Sequence, residues 1–323
     1  MKRKLMYRTI YTPFTVHARL IHVPLRMFNW SNYEVAVDIY FYDWVITKVR
    51  AFRDTFRIML FVGRIYKVHS WKEREKMYEI VLIRHGESQY NVQNLFTGWS
   101  DPDLTEKGIQ EAKTAGKLLK DAGYTFDLAF ASVLKRSIKT LNYVLEEMDL
   151  LWIPVQKSWK LNERHYGALQ GLSKSETALK YGDEQLHIWR RSLSVRPPLL
   201  ELDDPRYARN DIRYSGVRPE DIPRGESLED TVHRVGDFWG NRIVPLLRKK
   251  ERVLISAHGN TLRALIKFME DIDEAALLEL NIPTGVPLVY KLDEDMNPIS
   301  RFYLGDPEQV AAKALDVAKQ GHV

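Results

Sequence analysis

The stretch that most limits how this chain can fold is Ile80-Val81-Leu82-Ile83, closed by Arg84-His85-Gly86-Glu87. A short apolar run ended by glycine reads as a buried parallel strand, and ligands gather beyond the carboxyl ends of such strands. This one delivers an imidazole, with a guanidinium beside it, to that rim. A second copy comes late: Val253-Leu254-Ile255 leads through Ser256 and Ala257 to His258-Gly259-Asn260. Two histidines on two strand ends make a candidate site.

Between and around these runs, strands and helices alternate in the α/β manner from Met77 onward. The first strand covers about 78–84, followed by a long loop over 85–104. Thr105, with Gly108 and an Ala/Lys/Leu pattern to Lys120, predicts a capped helix that Gly123 stops. A strand near Leu128-Ala129-Phe130 precedes a helix over about 134–147, and short helices are predicted for 173–181 and 184–191. Residues 194–225 carry Pro197, Pro198, Pro205, Pro219 and Pro223, and a long excursion of this kind is expected to be a lid or binding loop. A helix over 227–249 is expected to bend or break at Pro245. A strand at 252–256, a helix at 261–269 and two late runs, 286–292 and 299–304, follow. The alanine-rich tail after Asp306 is expected to end flexibly.

Residues 1–76 read differently. Of the 48 Lys+Arg and 43 Asp+Glu in the chain, residues 1–77 hold 15 and 6, leaving 33 and 37 for the rest. The basicity belongs to the front, so no nucleic-acid partner is expected for the larger, mildly acidic part. The front resembles a transit peptide in composition, although serine is scarce and no cleavage signal stands out. Val45, Val49, Phe52, Phe56, Met59 and Leu60 fall at helical spacing between Asp43 and Lys67, with Arg50, Arg53, Arg57 and Arg64 on other faces. Such a basic amphipathic helix suits an anionic membrane or a partner, but a dispensable extension is the plainer reading. No apolar run approaches the roughly 20 residues that span a bilayer. The expected location is cytoplasmic, or an organelle if the front is a transit segment. The division expected is an extension over 1–76 and a catalytic domain over 77–323.

The chemistry is narrowed by what is missing. There are no cysteines, which excludes disulfides, thiolate catalysis and cysteine-ligated metal. Gly-x-Ser-x-Gly, a Walker loop, His-Glu-x-x-His and Gly-x-Gly-x-x-Gly are all absent. A histidine can itself be a covalent nucleophile. Attack on phosphorus needs a neutral imidazole, cations for the phosphoryl oxygens and an acid for the leaving oxygen. Arg84 stands beside His85, Arg136 opens the helix after the 128–130 strand, and Arg190 and Arg191 end another helix. Each guanidinium fork can hold two phosphate oxygens. Glu163 offers a carboxylate, and a neighbouring phosphate's negative charge favours its protonated form. Alone, Glu163 is more often a surface ion-pair partner and the Arg pair a solvated helix end; their joint occurrence is what points to phosphoryl transfer.

From about 78 to 321 the sequence resembles the 2,3-bisphosphoglycerate-dependent phosphoglycerate mutases of the histidine phosphatase superfamily. The stretches that carry this are LIRHGES at 82–88, FTGW at 96–99, SVLKRS at 132–137 and KLNERHYGALQGL at 160–172. YGDEQ at 181–185, WRRS at 189–192, AHGNTLRAL at 257–265 and LNIPTGVPLVY at 280–290 extend the resemblance along the domain.

The resemblance implies a three-layer fold, a mostly parallel sheet with helices on both faces. It implies that His85 carries a phosphoryl group loaded from 2,3-bisphosphoglycerate and passes it to a monophosphoglycerate, interconverting 2- and 3-phosphoglycerate without a metal. Glu163 would trade protons with the substrate hydroxyl, while Arg84, Arg136 and His258 steady the transferring phosphoryl. Ser88, Asn91, Thr97, Gly98, Tyr166, Lys174, Arg190, Arg191, Gly259 and Asn260 match the family's substrate contacts. The partners implied are small phosphorylated three-carbon acids and further copies of the chain, as a dimer or tetramer. The sequence departs from the family in residues 1–76 and in a tail that ends Gly321-His322-Val323 without the usual final lysines. The second departure bears on how well water is excluded, and so on the ratio of mutase to phosphatase activity.

Overall fold

The apolar runs after Met77 assemble into one six-stranded sheet whose strands lie in the order 155–157, 128–131, 253–257, 78–84, 287–292 and 298–303. In this computed structural model the described residues are 23–25, 37–40 and 77–319. The chain divides into two compact units, Met1–Lys72 and Glu73–Val323. The first contributes an antiparallel pair, β1 (Val23–Leu25) and β2 (Val37–Tyr40), with Val23 opposite Tyr40. The amphipathic helix expected over 43–67 and the last residues, 320–323, lie outside the described residues. Among the described residues no helix is long and apolar enough to cross a membrane.

In the second unit β3 (Tyr78–Arg84), β4 (Leu128–Ala131), β5 (Val155–Lys157) and β6 (Val253–Ala257) run parallel to one another. β7 (Pro287–Leu292) pairs antiparallel with β3, and β8 (Pro298–Tyr303) closes a hairpin on β7. The two late runs thus form an edge hairpin that extends the sheet.

Period-two alternation places the two cores. Ile80 and Leu82 face one layer with α6 (Leu228–Phe238) and α8 (Gly259–Glu270). Val81 and Ile83 face the other with α2 (Glu106–Asp121) and α3 (Lys135–Glu147). Helices thus cover both faces, the three-layer arrangement the resemblance implied. Both layers are needed because a strand that is apolar on successive residues has no face to leave in water.

Thr105 caps α2 by accepting from the Gly108 N–H, as its position predicts. Shorter helices are α1 (Gln89–Val92), α4 (Lys174–Tyr181) and α5 (Asp183–Arg191). The helix expected over 227–249 runs as α6 to Phe238, opens into a π turn at Trp239–Ile243, and resumes as α7 (Val244–Arg248). Pro245 lacks an N–H, and its ring would meet the carbonyl of Asn241; the wider turn just ahead of it relieves that clash.

The excursion over 194–225 is packed on itself: Leu200, Tyr207, Tyr214 and Ile222 gather with Trp99 into a core of their own. Its short 3-10 turns are tied across by Leu200 N–H to the Arg224 carbonyl at 3.0 Å. As far as the described residues run, the tail is helical, α10 (Pro307–Lys319), because its alanines are helix formers and Lys313 anchors it to Glu111 at 3.3 Å. Finally, β5 and the short α9 (Glu274–Glu279) escaped the sequence reading. A three-residue edge strand with an exposed–intermediate–exposed pattern carries no apolar run to betray it.

Candidate active site

The carboxyl ends of β3, β4 and β6 converge on one spot because the three strands are parallel neighbours in register, Leu82 with Ile255 and Phe130 with Ile255. His85 follows β3 and extends its ladder, its N–H bonded to the Ala257 carbonyl at 3.0 Å. His258 follows β6 as the N-cap residue of α8. Their rings lie 5.0 Å apart between centroids. Arg136, in the first turn of α3, is fully buried.

His85 is held as a nucleophile must be. Its Nδ1 stands 2.7 Å from the Gly86 carbonyl, an acceptor only, so the proton sits on Nδ1. Nε2 then offers its lone pair, which accepts from Arg136 Nε–H over 3.2 Å. The other nitrogens of Arg136 donate to the Ser100 and Gly98 carbonyls at 2.8 and 2.9 Å. Burial, then Arg136 and Arg84, push the His85 pKa well below its ordinary value. Burial, then Arg136 and His85, do the same to His258. Both rings are neutral at physiological pH.

The turn carrying His85 is pressed against α2. A Cβ on Gly86 would stand 2.2 Å from the Gly108 carbonyl oxygen, and one on Gly108 would stand 2.1 Å from that of Glu87. Two glycines at this crossing allow backbone to lie on backbone.

Above this floor opens a cleft of ≈ 630 Å³, counting the space open to solvent at its mouth. Arg84, Asn91, Thr97, Gly98, Glu163, Tyr166, Lys174, Arg190, Arg191, Gly259 and Asn260 line it. The expected residues gather in this lining or, for His85, Arg136 and His258, directly beneath it, with Ser88 the exception. Ser88 is fully buried and caps α1: its Oγ accepts from the Asn91 N–H at 3.4 Å and donates to Asn91 Oδ1 at 2.8 Å. Ser88 shapes the loop that presents Asn91 and does not reach the cleft wall. His85, only 3% exposed, lies with Arg136 and His258 below the lining residues.

Glu163, 8% exposed, accepts the Arg164 N–H at 2.8 Å and the Asn260 N–H at 3.1 Å. The second of these is an otherwise unpaired donor at the α8 N-terminus, whose dipole favours an anion. The backbone of Glu163 is held from behind. Trp99 Nε1–H donates to its carbonyl at 2.6 Å. Arg234, on α6, donates to the Lys160 and Asn162 carbonyls at 2.8 and 3.1 Å and to that of Glu163 at 3.4 Å. The same guanidinium makes a two-pronged pair with Glu226, at 2.8 and 2.9 Å, and Glu226 accepts the His165 N–H.

Around the mouth, burial together with Arg190, Arg84 and Arg191 brings the Lys174 pKa down to about 7. Burial takes Arg136 and Arg190 to about 10, still cationic. Arg263 was not anticipated: it lines the cleft, donating to Asn260 Oδ1 at 2.9 Å and the Leu277 carbonyl at 2.7 Å. It lies four residues after Gly259, one helical turn on, and that spacing was the available signal. Ile282, whose carbonyl takes Arg84 Nη1–H at 2.7 Å, and Val317, from α10, also line the cleft; Ile282 lies in the 280–290 stretch quoted above, and Val317 had no sequence signal.

With this geometry in place, comparison with known proteins is informative. A family model described as histidine phosphatase superfamily (branch 1) matches residues 80–211 and 201–303. The fold is similar to that of a mycobacterial glucosyl-3-phosphoglycerate phosphatase, at TM-score 0.53 and 21% identity, over 70% of this chain and 97% of that one. It is also similar to the alpha-ribazole phosphatase of Shigella flexneri, at 0.51 and 22%, over 70% and 96%. Phosphoglycerate mutase from Bacillus anthracis matches at 0.51 and 19%, over 77% and 100%.

Proposed function

The chain belongs to the histidine phosphatase superfamily, branch 1, and from that premise we propose that it is a phosphoglycerate mutase primed by 2,3-bisphosphoglycerate. His85 Nε2 attacks a phosphorus of the bisphosphate, forming an N–P bond as the P–O bond to the carbon skeleton breaks. Glu163 gives a proton to the departing oxygen. A monophosphoglycerate hydroxyl then returns its proton to Glu163 while its oxygen takes the phosphoryl from His85. Arg136 Nε–H, which occupies the His85 lone pair in the resting site, turns to a phosphoryl oxygen as the N–P bond forms. Arg84, whose Nε is buried without a partner, is the second donor placed for those oxygens.

The observation that carries this reading is the charge of the cleft. Arg84, Lys174, Arg190, Arg191 and Arg263 line it against a single carboxylate, Glu163. A bisphosphorylated acid carries roughly −4 to −5, counting about −1.5 to −2 per phosphate, whereas a simple phosphomonoester carries about −2 at most. Five cations suit the first. Asn91, Thr97, Gly98, Tyr166, Gly259 and Asn260 are the neutral contacts of this reading. Assembly into a dimer or tetramer also belongs to the proposal.

The test is conversion of 3-phosphoglycerate to 2-phosphoglycerate, with and without 2,3-bisphosphoglycerate, alongside measurement of released phosphate. The mutase reading expects isomerisation that the bisphosphate stimulates. Phosphate release outrunning isomerisation would make the protein a phosphatase.

A further inference from the structure

We propose that Ser132 is a positioning residue that keeps the proton of His258 on Nδ1, so that this ring offers an N–H to the phosphoryl group on His85. The inference rests on the phosphohistidine reading of His85 and adds to it a reason why two adjacent neutral histidines play different parts.

Ser132 is the first residue after β4, as His258 is after β6, and the register Ala131 with Ser256 sets these strand ends side by side. Both residues are fully buried. Ser132 Oγ lies 2.7 Å from His258 Nε2 and 3.1 Å from the Leu134 N–H, which it accepts. Among the described residues no other group is hydrogen-bonded to this hydroxyl. Its proton has one destination, the His258 Nε2 lone pair, and the ring proton must then be on Nδ1.

The opposite arrangement is worse. With the proton on Nε2, the hydroxyl would accept twice, leaving its own proton and the Nδ1 lone pair both buried without partners. The arrangement proposed leaves one such group, the Nδ1–H, and Nδ1 has no partner in the structure. A lone buried donor beside the nucleophile is what a phosphoryl oxygen would satisfy on arrival.

The two rings are thus used in opposite senses. The Gly86 carbonyl occupies the N–H of His85 and leaves a lone pair for the chemistry. Ser132 occupies the lone pair of His258 and leaves an N–H.

The test uses the full chain with 15N-labelled histidine, without substrate, and reads which ring nitrogen of His258 carries the proton. His258→Gln assigns the resonances, and the His85 signals report whether each variant keeps its site. The wild-type ring is expected to be protonated at Nδ1, and Ser132→Ala to shift it toward Nε2. In single-turnover loading of His85 from 2,3-bisphosphoglycerate, Ser132→Ala is expected to slow transfer about 10- to 100-fold, the usual cost of losing a group that orients a working histidine. Protonation at Nε2 in the wild type, or an unchanged tautomer in Ser132→Ala, would overturn the proposal. Because the tautomer is read without substrate, a failed mutase assay leaves this result standing on its own.

Discussion

Arg234 is placed to fix the loop that carries Glu163, and its removal is a severe perturbation with a calculable size. Its side chain and that of Glu226 are 6% and 5% exposed, and the pair is two-pronged. Arg234→Met leaves the Glu226 carboxylate buried with only the His165 N–H, and it strips a donor from the Lys160, Asn162 and Glu163 carbonyls. Breaking a buried pair from one side costs about 3–5 kcal/mol, or roughly two to four decades in the folded-to-unfolded ratio. Removing both charges in Arg234→Met/Glu226→Leu takes away the stranded carboxylate, so the double variant should recover about 2 kcal/mol or more of that loss. Urea unfolding of the wild type, both single variants and the double variant measures this, provided the slopes agree. The loss should persist in high salt, because a pair this buried is little screened. A single-variant loss under about 1 kcal/mol, or a double variant no better than the sum of the singles, would refute the reasoning.

Other consequences are direct. Lys174 is held at about 7 by burial with Arg190, Arg84 and Arg191, and a bound polyanion favours its charged form; affinity for 3-phosphoglycerate should therefore weaken as pH rises above 7, by at most about tenfold per unit, and Lys174→Met should flatten that slope. The same depressed value means that its contribution to stability is present above the unfolded lysine's pKa and is lost as pH falls through about 7. Glu163→Gln should lower kcat about 10²- to 10⁴-fold with KM little changed, and a loss below tenfold would remove Glu163 from proton transfer. Gly108→Ala lies within a helix, where alanine normally gains about 1 kcal/mol; here its Cβ would stand 2.1 Å from the Glu87 carbonyl, so a net loss of about 1–3 kcal/mol by thermal unfolding is expected instead. A chain beginning at Met77 should retain its turnover, and loss of most of it would tie residues 1–76 to the fold.

Apart from β5, the sheet was legible because its strands are short apolar runs closed by turn formers, and β3 and β6 announce themselves that way. The placing of His85 beside His258 was legible for the same reason: parallel strand ends must converge. Glu163 was harder, since it lies on a loop with no periodicity, and only its neighbours in sequence singled it out. What could not be read was anything set by tertiary contact alone. The clamp of Arg234 on the Glu163 loop spans residues 159 to 234 and has no local pattern. Ser88 had the right residue type in the right motif, but its hydroxyl is occupied by capping α1. The helix over 307–319 was not expected, although its alanines favour one.

The central claim is that Nε2 of His85 carries the phosphoryl group. Rapid-quench incubation with 2,3-bisphosphoglycerate, followed by alkaline peptide mapping, should find an acid-labile phosphoryl on the peptide containing His85, attached at Nε2 and absent from His85→Ala. A phosphoryl found on His258 or on Nδ1 of His85, or turnover surviving in His85→Ala, would contradict the account.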